Sequence, residues 1–318
     1  MGAPGRAAKA ARNTARVRGK GFGSGPASHP TTVGTVLNGA LMVLLALVTI
    51  FPFYYVVLIA LSDYATVHKQ ILYIFPTKIN FESFRAVFEE RTFLNSFLNS
   101  VFVTVVGTAY SLLISSMAAY ALSKDRVPGH RILFIIAIIP MFFSGGLIPY
   151  YLTVSAVGLS NSIWVMVIPA AITTFYLLLM KNSFDDVPKS LEESAKIDGA
   201  TDFTVFFRIV LPTSMPVIAT MALFYAVDKW NDYYLAMLFI NDLNKYPLQM
   251  TLREILNNFT RFQGTGIGAV IQNQQTPIVY TRSLQMAVIV VATVPILCVY
   301  PFLQKHFTKG IMLGAVKE

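Results

Sequence analysis

The chain has 318 residues, 55% hydrophobic and 13% charged, with a formal charge of +9 and a mean hydropathy of +0.58. A soluble globular domain carries about 25% charged residues, so half of the expected polar covering is missing and a water-solvated fold is excluded. Only helices and closed barrels satisfy their backbone in lipid, and the long continuous apolar runs lack the alternation over about 10 residues that a barrel strand needs, which leaves an all-α membrane protein.

The first thirty-one positions are basic and poor in apolar residues. Arg6, Lys9, Arg12, Arg16, Arg18 and Lys20 stand in a stretch rich in Ala and Gly and free of acids, which reads as a disordered cytoplasmic tail over residues 1–31. Such a tail can touch anionic lipid headgroups, act as a topology signal or simply be solvated. It accounts for much of the positive charge without nucleic acid as a partner. The apolar run that follows is too long for the h-region of a cleavable signal peptide. Cys298 is alone, and His29, His68, His130 and His306 lack ligand spacing, so neither a disulfide nor a metal site is expected.

A helix needs about 20 apolar residues to cross the hydrocarbon core. Runs free of Asp, Glu, Lys and Arg cover 21–62, 92–123, 132–180, 209–227 and 283–304. The third is long enough for two crossings, with Gly145, Gly146 and Pro149 and then Gly158-Leu159-Ser160-Asn161 marking a turn. Six helices are predicted, near 36–62, 95–123, 132–153, 160–181, 208–236 and 284–305, forming a transmembrane domain over 32–318. Gly145, Gly146 and Pro149 either end the third helix or break it within the membrane. With the N-terminus inside, sixteen lysines and arginines fall on inner segments and eight on outer loops. The positive-inside rule then places both termini in the cytoplasm.

Between the fourth and fifth helices lies the cytoplasmic loop 184–202. Pro188 suits a helix N-terminus, Ser190 can cap it, and Glu192 and Glu193 suit the positive end of its dipole. Ala195 allows close approach of another surface. Gly199 supplies a left-handed stop, and Thr201 with Asp202 can start the next helix. The reading is a short, charged, rigid helix displayed on the cytoplasmic face.

These residues carry a resemblance. Glu193-Ser194-Ala195, then Gly199, then Ile209 and Leu211-Pro212 are similar in spacing to the EAA loop of binding-protein-dependent ABC importer permeases, with Ser194 in place of the first Ala. The resemblance implies a type I importer fold and a coupling helix seated in a cleft of a cytoplasmic ATPase subunit. Glu193 would meet a basic residue of that subunit and Gly199 would mark the turn. Glu192, Ser194, Ala195 and Asp198 complete the expected coupling surface. The chain has no GxxxxGK[ST] phosphate loop, so ATP and Mg would be used by the partner and no cofactor bound here. No nucleophile with its base is found either, and an enzyme is not expected.

Two further stretches, 143–149 with 158–164 and the C-terminal run 309–317, resemble the carbohydrate-uptake branch that handles larger saccharides. In the fifth helix Asp228, Lys229, Trp230, Asn231, Asp232, Tyr233 and Tyr234 offer hydroxyl-bonding groups and rings for a sugar. Intramembrane ionisable residues usually face a cavity or protein interior. Trp230 and Asn231, with Tyr234, are therefore candidates for the translocation path. The bland alternative is an aromatic belt, with Asp228 and Lys229 capping the helix. In the outer loop 241–282, the segment 251–256 is helix-like and 264–268 flexible.

The resemblance implies a set of partners: a homologous permease forming a heterodimer (a homodimer being the lesser option), two ABC ATPase subunits, an extracellular solute-binding protein that docks on the outer loop, an oligosaccharide cargo, and the lipid of a bacterial cell membrane. One rival reading is an importer of amino acids or phosphonates, against which the two carbohydrate-like stretches argue. The other is an ion-coupled secondary transporter, which often has an internal repeat; the two halves of this chain show none.

Overall fold

The computed structural model describes residues 32–62, 74–75, 79–89, 91–257 and 283–298. The expected tail 1–31, the loop residues 258–282 and the C-terminal run 309–317 lie outside them. The described residues contain helices and no strand, apart from one isolated bridge between Ser62 and Ile79. The chain divides into two units, 1–53 and 54–318.

The first unit is the N-terminal part of α1 (Thr32–Ala60). Its side chains from 34 to 53 are exposed, and they include Val36, Leu37, Met42, Leu47, Val48, Ile50 and Phe53. An exposed apolar run of this length is stable only against lipid or another protein.

The second unit is organised on α3 (Arg91–Leu122), a helix of 32 residues and about 48 Å at 1.5 Å per residue. It is preceded by the short α2 (Glu82–Glu89). One face of α3 buries Ser96, Ser100, Gly107, Ser111 and Ser115, spaced four or seven apart, so they share a stripe. Small residues in such a stripe let neighbouring helices approach closely. Packed on it are α6 (Thr174–Asp185) and α10 (Met215–Asn231).

The stretch expected as a single helix over 132–153 is broken. It forms α4 (His130–Phe142) and α5 (Leu147–Ala156), which meet at 120°. Phe143 is extended, and Gly146 sits at φ 85°, ψ 165°, a region open in practice only to glycine. The helix expected over 160–181 is also interrupted. A single 3₁₀ turn (Ile163–Met166) is followed by non-helical backbone over 167–173, and α6 starts at Thr174.

After α7 (Lys189–Ile197) comes α8 (Asp202–Val205), which runs through a π-helical turn (Phe206–Val210) into α9 (Leu211–Thr213). The segment 202–213 meets α10 at 85°. The break falls at Ser214, between Pro212 and Pro216, whose missing N–H groups interrupt the helical ladder on both sides. A single helix over 208–236 was the expectation; instead α10 stops at Asn231 and α11 (Tyr234–Phe239) restarts. Asp232 makes that restart by accepting from the Tyr234 and Leu235 N–H groups at 2.9 and 3.3 Å. α12 (Leu248–Asn257) contains the helix expected at 251–256, and α13 (Ser283–Cys298) is a shorter apolar helix. Among the described residues α1 and α3 are each long and apolar enough to cross a membrane, and the two bent pairs reach that length together.

The core gathers in three main clusters. One lies at the C-terminal end of α3, where Tyr120 meets Phe184, Phe206 and Val210. A second lies near its N-terminal end, where Phe93 and Trp230 pack with Leu248 and Leu284. The third holds Val103, Met166, Phe239 and Met250.

Candidate functional site

The segment 184–202 folds as a capped helix. Pro188 occupies the N-cap position, where its missing N–H costs nothing, and no side chain caps α7. Ser190, expected as the cap, is instead the second residue of the helix, and its carbonyl accepts from the Ser194 hydroxyl at 2.9 Å. The C-terminus closes with a Schellman turn. The Ala200 N–H reaches the Ala195 carbonyl at 2.9 Å and the Gly199 N–H reaches Lys196 at 3.0 Å, with Gly199 at φ 84°. Thr201 then caps α8, its hydroxyl accepting from the Thr204 N–H at 3.4 Å.

The two glutamates of α7 point in different directions, as residues one apart in a helix are turned about 100° from each other. Glu192 is buried, 7% exposed, and pairs with Lys124 of the turn after α3. Glu193 is exposed and has no hydrogen-bond or ion-pair partner among the described residues. Ser194, Asp198 and Gly199 are exposed beside it, whereas Ala195 is half-buried against the cluster at the end of α3. Leu191 and Ile197 also face outward, Ile197 being 86% exposed. A cleft of about 480 Å³ separates the turn from α7, lined by Lys124, Asp125, Lys181, Asp185, Glu192 and Glu193 among others.

The path candidates of helix five separate as well. Trp230 is buried, with its ring edge-on to Phe97 at 6.1 Å, and its indole Nε1 has no hydrogen-bond partner among the described residues. Asn231 and Tyr234 are exposed, and Asn231 donates to the Val227 carbonyl at 2.8 Å.

Lys229 plays a part the sequence did not disclose. It is 4% exposed, and its amino group donates to the Met166 carbonyl at 2.7 Å and to Ala170 at 3.2 Å. Met166 ends the 3₁₀ turn and Ala170 lies in the non-helical backbone after it, so no helical ladder serves these carbonyls. The neighbouring groups are served likewise. The Ser115 hydroxyl donates to the Ala171 carbonyl at 3.3 Å, and the Thr173 N–H donates to the Tyr225 hydroxyl at 3.3 Å. Irregular backbone at membrane depth is tolerated only where protein supplies such partners. The Lys229 stem crosses α3 at Gly107, where a Cβ would stand 3.2 Å from Cδ. Its neighbour Asp228 goes elsewhere, accepting from the Tyr176 hydroxyl at 2.8 Å.

Asn161 was also missed as a site. It sits at φ 55°, and its carbonyl side chain accepts from the N–H groups of Asn241 and Asp242 at 3.2 Å each. Its sequence signals were the Gly158-Leu159-Ser160-Asn161 turn and the 158–164 stretch that contains it.

Comparison with known proteins now decides the family. The model of the family described as "Binding-protein-dependent transport system inner membrane component" matches residues 111–313. The chain belongs to that family. As a permease it has the type I ABC importer fold, and it is a multi-pass inner-membrane component of a binding-protein-dependent transport system. It is 45% identical over 294 residues to Protein LplC of Bacillus subtilis (strain 168), covering 91% of this chain and 97% of that one. It is 43% identical over 276 residues to the polygalacturonan/rhamnogalacturonan transport system permease protein YtcP of the same organism, covering 87% and 95%. Among solved structures, a chain of a bacterial ABC transporter involved in the import of the acidic polysaccharide alginate superposes with a TM-score of 0.78. It is 30% identical and covers 88% of the permease and 98% of its own length.

Proposed function

We propose that this permease imports oligosaccharides, with ATP hydrolysed by two partner ATPase subunits that bind its 184–202 loop. The observation that carries the reading is Glu193, an exposed and unpaired carboxylate on a nine-residue helix closed by the Gly199 turn. A helix bounded by a proline at one end and a left-handed residue at the other moves as a short rigid body. Glu193, Ser194, Asp198 and Gly199 form its outward surface, Ala195 backs that surface against the chain's own core, and Glu192 holds it from within.

A single chain offers one such helix, and an importer driven by two ATPases needs two. A homologous permease is therefore the proposed partner, with six crossings per chain, both termini and α7 on the cytoplasmic side, and the outer loop 241–282 meeting the binding protein. The names of YtcP and of the alginate transporter support a saccharide cargo. Exposed Asn231 and Tyr234 suit sugar hydroxyls and C–H faces, and buried Trp230 has an N–H without a partner among the described residues.

The test is ATP hydrolysis by the complex reconstituted in vesicles, wild type against Glu193→Ala, with binding protein and acidic oligosaccharides tried first. The expected result is loss of cargo-stimulated hydrolysis or of the bound ATPase subunits. Wild-type behaviour of the variant, together with uptake driven by an ion gradient, would sink the reading.

A further inference from the structure

The turn between α3 and α4 is tied to the coupling segment at three places. Its consecutive residues Lys124, Asp125 and Arg126 pair with Glu192, Lys189 and Asp202 respectively. Asp202 also takes Lys196 at 3.1 Å. These ties are unequal. Lys189 and Asp125 are 3.8 Å apart, and both side chains are 85% exposed, so solvent screens that pair almost completely. Arg126 and Asp202 are half-exposed. Lys124 and Glu192, with side chains 15% and 10% exposed, are the most buried pair of the three, and the Lys124 amino group also lies 4.8 Å from the Tyr120 ring centroid on the last turn of α3. Losing one member of a buried pair strands the other, which makes this tie the costly one to break.

The position of the pair matters as much as its strength. Lys124 follows α3 by two residues, and α3 is the helix on which α6 and α10 pack. Along the chain, α7 connects to α6 on one side and to α8–α10 on the other. Without the pair, a push on α7 reaches α3 through those helices, the Ala195 packing and the two solvent-exposed ties. With it, α7 pulls on the end of α3 directly.

We propose that Lys124 is a positioning residue, and that the Lys124–Glu192 pair is the rigid link through which α7 moves α3. Glu192 acts inside the chain, and Glu193 alone of the two acts toward the ATPase. The proposal rests on the coupling-helix reading above and adds a second route for the motion.

Cargo moved per ATP hydrolysed is the quantity to measure, in vesicles holding the whole complex. The variants are Lys124→Met, Glu192→Gln, the exchanged double Lys124→Glu/Glu192→Lys, and Glu193→Ala as a reference. Lys124→Met and Glu192→Gln are expected to retain the ATPase subunits while cargo per ATP falls about tenfold, less than stranding a fully buried charge would give, since the two side chains keep 15% and 10% of their surface exposed. The exchanged double should regain much of the ratio. If Lys124→Met does not assemble, that double, which keeps a pair, must restore both assembly and the ratio. A ratio unchanged in the single variants overturns the proposal. So does a parallel fall of hydrolysis and transport that the exchange does not rescue, since that marks a contact needed only for folding. Uncoupling by Glu193→Ala alone overturns the link and leaves the coupling helix intact. If no variant has any effect and transport proceeds without ATP, the coupling-helix reading itself fails.

Discussion

Replacing Lys229 by Ala removes the donor for two buried carbonyls, at Met166 and Ala170. An unpaired buried polar group costs about 1–3 kcal/mol, so the pair of them sets an upper range of about 2–6 kcal/mol. Two effects reduce it: the amino group no longer has to be buried, and hydrogen bonds between membrane helices average only about 0.6 kcal/mol each. The net expectation is a loss of about 1–5 kcal/mol. A sharper test uses Gly107, where an added Cβ would lie 3.2, 3.3 and 3.4 Å from Cδ, Cε and Cγ of Lys229. The stem is anchored at its far end and cannot swing away, so Gly107→Ala overpacks at a cost of about 1–3 kcal/mol. The better helix propensity of Ala returns about 1 kcal/mol. In the Lys229→Ala background the obstacle is gone, and Gly107→Ala should stabilise by about 1 kcal/mol. The assay is unfolding of the purified permease in mixed micelles with increasing SDS, run as a double-mutant cycle. An equal effect of Gly107→Ala in both backgrounds would refute the account of Lys229 as a clamp seated over Gly107.

Gly199→Ala forces a residue with a Cβ into φ 84°. Nothing lies within 4 Å of that Cβ, so the cost is conformational alone, about 1–2 kcal/mol, read as weaker retention of the ATPase subunits on purification; unchanged retention would show that the turn is not needed for docking. Asn161→Ala loses two acceptor contacts and pays the left-handed strain, for about 2–3 kcal/mol in the same SDS titration. Asn161→Gly keeps the backbone and should lose about half as much; equal losses would remove the strain from the argument.

The apolar runs made the membrane class legible, and the spacing from Glu193 through Gly199 to Pro212 made the family legible, because both are local. The interruptions were legible only where the chain signals them by itself. Gly145 and Gly146 announce the 120° break between α4 and α5. The non-helical stretch 167–173 carries one local signal, Pro169, but its hydrogen bonding is completed by Ser115, Tyr225 and Lys229, more than fifty residues away in the sequence. Composition identified Lys229 as an intramembrane charge and could not say that it turns toward backbone carbonyls. In the same way, the motif spacing singled out Glu193 but left Glu192 on the same expected coupling surface. Their separation into an inner and an outer carboxylate depends on the rotation of α7 about its axis, which Lys124 and the Ala195 packing determine from outside the helix.

A helix remembers its own shape, because every turn is closed by bonds within the same segment. The stretch 167–173 has no such memory. Ser115 of α3 holds one of its groups, Lys229 and Tyr225 of α10 hold others, and its path between those anchors is set by where the two helices stand. If α10 slides along the smooth small-residue stripe of α3, the stretch is redrawn with it beyond the Val167 and Ile168 N–H bonds to the Trp164 carbonyl at its start. It behaves as a pointer fixed to two moving parts, and its conformation is a gauge of their relative displacement.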